Sequence, residues 1–206
     1  MTQKERQERS RQEILQAALE EFGSHPYEAV TMERICAGHG ISKGMMYHYY
    51  SGKDELFLLC VSHVFQGLEA YLKEHSGELP ADPAQAIRSY FLSRLSYFAL
   101  RPKEQRIFES AMLRPPQHLR EAIAGLHASL DEHNRRFLFR TLSALELRPG
   151  LEPEFLSTYL ERLERVFQSL LDQYRDDGAL PDLPSFLNRG EQLLDLLLFG
   201  VFRQPH

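Results

Sequence analysis

The chain has 206 residues, 43% of them apolar, and a formal net charge of -5, enough to bury a substantial core in one large or two small domains. Residues 1–60 hold 7 Lys and Arg against 9 Asp and Glu, which excludes the generally basic footprint of a protein that coats nucleic acid regardless of sequence. No apolar run reaches the roughly 18 to 20 residues of a membrane span, and the N-terminus lacks the apolar core of a secretion signal, so a cytoplasmic protein with no membrane partner is expected.

Helical periodicity runs along the chain with no alternating strand pattern, predicting an all-α fold of about nine helices. The first is placed near residues 3–24, with Lys4, Arg6, Arg9 and Arg11 read as a basic arm leading into it, either a phosphate or minor-groove contact or a solvated helix end. Two short helices follow, near 31–38 and 42–48. Thr31 and Ser42 carry hydroxyls suited to cap their first backbone amides. Gly38 and Gly40 give the backbone freedom around His39, and Ile41 returns to the core. This is how a protein offers a helix to the DNA major groove. On the second helix Lys43 and His48 can reach phosphates, and Gly44 lets the backbone approach the sugar-phosphate wall. Met45, Tyr47 and Tyr49 can meet bases, thymine methyls or phosphates. Lys53 opens the next helix, where a cation and free amides suit another phosphate.

Ile14-Leu15-x-x-Ala18 with Phe22, then Thr31, Ile35, Gly40-Ile41-Ser42-Lys43-Gly44, Tyr47-His48-Tyr49-Tyr50 and Lys53-x-x-Leu56 resemble the TetR family of transcriptional repressors. The resemblance covers roughly the first quarter of the chain and agrees in type and spacing across a whole three-helix unit. It implies a dimeric one-component regulator with an N-terminal DNA-binding domain and a divergent helical C-terminal domain that binds a small effector and dimerises. Pro26 departs from the glycine that commonly ends the first helix, so the turn into Tyr27 must differ locally. Cys36 and His39 replace small residues, and the bulk of His39 predicts a slightly splayed turn. Cys36-x-x-His39 and Cys60-x-x-His63 each pair a thiol with an imidazole on one helix face, but the pattern is too weak to assign a metal, and neither metal nor cofactor is expected. Two cysteines fit a reducing compartment without a disulfide framework.

Further helices are placed near 53–74, 83–99, 103–112, 117–145, 153–176 and 184–202, separated by Pro- and Gly-bearing breaks. Residues 1–58 are assigned to DNA binding and 59–206 to effector binding and dimerisation, with helix 53–74 joining the two parts. Tyr90, Tyr97, Phe98, Phe108, Met112, His118, His127, Asn134 and Phe137 mix aromatic walls with polar groups, the composition of a cavity for an apolar or amphipathic effector and equally of an aromatic core. Tyr159, Leu163, Val166 and Leu170, with Leu194, Leu197, Leu198 and Val201, form apolar stripes that a second copy of the chain would cover. Enzyme signatures such as a phosphate loop, H-E-x-x-H or a nucleophile elbow are missing. The expected function is a homodimeric repressor of a palindromic double-stranded DNA operator, released by an effector. The alternative is a DNA-bound adaptor whose C-terminal domain binds a protein.

Overall fold

A computed structural model describes residues 2–75, 80–147 and 149–159. Among them every regular element is helical. The elements are α1 (Gln3–Ser24), a 3-10 turn (Tyr27–Ala29), α2 (Met32–His39), α3 (Lys43–Tyr49) and α4 (Lys53–His75). There follow α5 (Pro83–Ala99), α6 (Pro102–Leu113), a second 3-10 turn (Gln117–Leu119), α7 (Arg120–Leu142) and α8, helical over 153–159. The all-α expectation is met. The rest of the predicted 153–176 helix and the whole 184–202 helix lie outside the described residues.

Helix ends follow local chemistry. Thr2 and Glu5 form a reciprocal capping box at the start of α1. Asp82 caps α5, and Pro83 and Pro102 occupy first-turn positions where a missing N–H costs nothing. Two details differ from the periodic reading. Lys4, Arg6, Arg9 and Arg11 lie on the first turns of α1 itself, because the Thr2 cap sets the helix start ahead of them. The single helix predicted over 117–145 is a 3-10 turn followed by α7, since the Pro116 backbone is not helical.

The described residues divide into two compact units, one of 2–67 with 101–127 and the other of the described residues within 68–100 and 128–159. In the first, α1, α2, α3, the N-terminal part of α4 and α6 bury Ile14, Phe22, Ile35, Met46, Leu56, Phe57 and Ile107. Each large apolar side chain contributes about 1.5–3 kcal/mol by leaving water. Phe57 meets Phe22 and Tyr27 edge to face, with ring centroids 5.1 and 5.0 Å away. Helix α6 packs so closely on the end of α1 that a Cβ added at Gly23 would lie 2.5 Å from Lys103 Cβ. Lys103 pairs with Glu20, and Arg106 donates to the Gly23 carbonyl at 3.4 Å. The second unit buries Leu72, Ile87, Tyr90, Leu130, Phe137 and Leu142.

Candidate nucleic-acid interface

The two short helices are fixed at their ends by single side chains. Thr31 Oγ1 accepts from Arg34 N at 3.1 Å, and Ser42 Oγ accepts from Met45 N at 3.1 Å. Between them Gly40 takes a left-handed conformation, φ +66°, which a residue with a Cβ adopts only at a cost. The Cys36 carbonyl then accepts from Ile41 N at 3.1 Å, and Ile41 returns to the core.

Met46 anchors α3, being fully buried. Lys43, Gly44, Tyr47 and His48 are exposed on the same helix, beside the exposed Thr31 and Ser42, while Met45 and Tyr49 are half-buried. Lys43 lies 3.9 Å from Glu33 with both side chains largely in solvent, a contact weak enough to be exchanged for a phosphate. Arg11 stands 5.6 Å from the centre of the Tyr49 ring, tying α1 to the end of α3. Lys53 is placed differently from its neighbours in the predicted set. Its ammonium lies 4.1 Å from the centre of the Tyr27 ring and donates to the Tyr27 carbonyl at 3.1 Å.

Two polar clusters hold this surface in place, and neither is marked by a sequence motif. In one, the Glu21 carboxylate gathers Arg34 at 2.6 Å, His39 at 3.4 Å and His25 at 3.8 Å. Burial would raise its pKa, but the hydrogen bond and charge of Arg34, with His39 and His25, outweigh that and hold the carboxyl below its ordinary value. His39 therefore has a partner for its extra bulk. In the other, the Tyr27 hydroxyl donates to Asp54, whose second oxygen lies 2.9 Å from His118 Nε2. The Tyr27 bond, and behind it His118 and Lys53, hold the Asp54 carboxyl low against burial. Burial and then Asp54 push the Tyr27 phenol up. Together these contacts latch the start of α4 to the 3-10 turns on either side of it in sequence.

The predicted pocket residues fall in both compact units. In the second unit Tyr90, Asn134 and Phe137 come together: Tyr90 donates to Asn134 at 2.7 Å and stacks on Phe137 at 4.0 Å. Tyr97 lies against Phe98 and Tyr71, with centroids 5.0 and 5.4 Å apart. In the first unit Phe108 and His127 meet on Phe65, at 5.7 and 4.9 Å, and Met112 is half-buried. His118 belongs to the Tyr27–Asp54 cluster and is exposed. Of the predicted dimer residues Tyr159 is described, 42% exposed on α8. Leu163, Val166, Leu170, Leu194, Leu197, Leu198 and Val201 lie outside the described residues. Cys36 and Cys60 are both buried with free thiols, and no group of three or more His, Cys, Asp or Glu placed to hold a metal occurs among the described residues.

Two capped helices about a left-handed glycine, the second turning a lysine, a tyrosine and a histidine to solvent, define a helix-turn-helix DNA-binding protein. Residues 14–60 match the family model described as bacterial regulatory proteins, tetR family. The uncharacterized helix-turn-helix transcriptional regulator YezE of Bacillus subtilis is 32% identical over 171 residues, 81% of this chain and 71% of that one. The helix-turn-helix transcriptional repressor AcnR of Corynebacterium efficiens is 28% identical over 168 residues, 79% of this chain and 81% of that one. In fold, a TetR-family regulator from Pectobacterium atrosepticum superposes with a TM-score of 0.68 at 22% identity, both chains covered completely. The chain belongs to the TetR family and is a DNA-binding transcriptional regulator, not an enzyme.

Proposed function

We propose that the chain is a repressor that binds a palindromic operator as a homodimer and leaves it when a small apolar or amphipathic effector occupies the C-terminal region. The observation that carries this reading is the exposed face of α3. Its Lys43, Tyr47 and His48 stand free of the core while Met46, Ser42 and the Glu21 cluster fix the helix beneath them. A helix so fixed can hold base-reading side chains in register, with Lys43 on phosphate, Gly44 against the backbone, and Met45, Tyr47 and Tyr49 toward bases or phosphates. Thr31 and Ser42 add hydroxyls at the two helix starts.

Dimerisation is supported by α8, where Phe155 is 60% and Tyr159 42% exposed and the two rings stack 6.2 Å apart. Large aromatics one turn apart on a helix at the surface are the composition of an interface. With two-fold symmetry, the recognition helices would meet half-sites a helical turn or somewhat more apart. In this reading residues 1–58 bind DNA and 59–206 bind effector and partner, and α4 carries movement from one to the other.

In vitro selection of genomic fragments at about 150 mM salt, near physiological screening, tests the reading without an effector. A recovered palindrome, with a dimer by light scattering, supports it. Folded protein that enriches no sequence and stays monomeric would sink it.

A further inference from the structure

The surface that turns α3 to solvent also carries a carboxylate, a group that DNA phosphates repel. Glu33 stands in the first turn of α2, two residues after the Thr31 cap, and its side chain is 57% exposed. Lys43 and Tyr47 lie four residues apart on α3 and so share one face of it. Glu33 acts on both. Its carboxylate is 3.9 Å from the Lys43 ammonium. Burial, and after it the Glu33 charge, push the Tyr47 phenol above its ordinary value. Glu33 therefore lies beside the face of α3 that offers Lys43 and Tyr47 to a ligand.

Other carboxylates of this unit hold the scaffold. Glu21 binds Arg34 and His39, Asp54 receives the Tyr27 hydroxyl, and Glu55 accepts from the Ser51 backbone N–H at 2.7 Å. Glu33 has instead a long, solvated ion pair with a lysine for which phosphate is the stronger partner. Once Lys43 turns to the DNA backbone, the carboxylate is left at the groove with its lone pairs open. It then weakens binding unless it meets a donor. The base edges of the major groove offer one selectively. Cytosine presents its N4 amino group, whereas guanine presents two acceptors, thymine an acceptor and a methyl group, and adenine a donor flanked by the N7 acceptor.

We infer that Glu33 is a specificity-determining residue of the DNA interface, accepting a hydrogen bond from the N4 amino group of a cytosine in each operator half-site. The inference rests on the reading of α3 as the helix that meets a palindromic operator.

The test measures binding of the full chain, Glu33→Ala and Glu33→Gln to the selected operator and to random duplex, by fluorescence anisotropy at about 150 mM salt. For Glu33→Ala, operator affinity is expected to fall about fivefold to tenfold, the lower end of what a base-edge contact contributes. Affinity for random duplex should hold or rise, because a repulsive charge has gone, and its log-log salt slope should not fall, because no phosphate contact is lost. Selection repeated with Glu33→Gln should change one base pair in each half-site from cytosine to adenine, since glutamine pairs with adenine N6 and N7. A structural role behaves otherwise. Loss of a favourable charge at the start of α2 would lower the melting temperature and weaken operator and random duplex together. That joint fall, a joint rise in both affinities, or an unaltered site selected by Glu33→Gln would each overturn the inference. Unsubstituted protein that enriches no sequence removes the operator reading itself, and with it this inference, before any variant is compared.

Discussion

The two compact units treat their polar groups in opposite ways. In the first, Thr31, Ser42, Glu21, Asp54 and Tyr27 each close a hydrogen bond or ion pair that fixes a helix end or a turn. In the second, Asn134 and His133 lie in an aromatic interior with polar atoms unused among the described residues. A surface that must meet DNA in one register benefits from a scaffold whose bonds are complete before binding, because ordering costs are then already met.

The comparison is broken most severely by emptying the cores. Phe57 is 1% exposed between Phe22 and Tyr27, so Phe57→Ala should cost about 3–5 kcal/mol in denaturant unfolding. Leu130, likewise 1% exposed, lies in the second unit, and Leu130→Ala should cost about 2–5 kcal/mol. The DNA affinity of the remaining folded protein decides between the units. It should fall for Phe57→Ala, which loosens the base of the helix-turn-helix, and hold for Leu130→Ala. An equal fall in both would mean that the two units act as one body toward DNA.

A glycine pair is gentler. At Gly23 a methyl group would meet the backbone and Cβ of Lys103, whereas nothing lies within 4 Å of a Cβ at Gly125 in α7. Gly23→Ala should therefore destabilise by about 1–3 kcal/mol as α1 and α6 are forced apart. Gly125→Ala should stabilise by roughly 0.5–1 kcal/mol through helix propensity alone. Thermal melts of the two variants should move in opposite directions.

These contrasts mark what the sequence makes legible. The caps at Thr31 and Ser42 and the helix of residues 3–24 are local, each decided by residues a few positions apart, and they are found where expected; of the two glycines expected to free the turn, Gly40 takes a left-handed conformation, whereas Gly38 lies within α2. The Glu21 cluster joins α1 to α2, and the Tyr27–His118 contact spans 91 positions, so periodicity gives no sign of either. In sequence His118 groups with the pocket because aromatic and polar residues alternate through the middle of the chain. Only the packing of the second 3-10 turn beside Tyr27 and Asp54 assigns it to the unit that holds the helix-turn-helix. Tyr27 is the scaffold side chain that sequence reasoning passes over. Its one local signal is the Pro26 before it, which announces an altered turn without naming the partners.

Acid acts on groups that are depressed in both units, and His133 separates from the carboxylates by its higher ordinary pKa. Glu21 and Asp54 have folded pKa values below their ordinary ones, so over that interval the unfolded chain binds more protons. Their stabilisation is present above about pH 4, the ordinary carboxylate range, and is lost as pH falls through the depressed values. His133 is also depressed, by burial first, and the unfolded chain begins to take its proton near pH 6.5. Stability should decline in two stages on acidification, the first below about pH 6.5 and the second below about pH 4. His133→Gln should flatten the first and leave the second. A first stage unchanged by that substitution would place its origin at another histidine.

The smallest effects test the DNA-facing surface itself, through two lysines that sequence treats alike. Lys43 is exposed with only a long contact to Glu33, while Lys53 is committed to the ring and carbonyl of Tyr27. Lys43→Ala should leave the melting temperature unchanged, weaken binding to all sequences similarly, and reduce the log-log salt slope by about 1, the loss of a single phosphate contact. Lys53→Ala should instead lower stability, because a cation–π contact and a hydrogen bond vanish from the start of α4. If it also lowers the salt slope by about 1, Lys53 exchanges Tyr27 for a phosphate on the operator. The latch at α4 would then open when DNA binds, and the Tyr27 cluster would belong to the switch as well as to the scaffold.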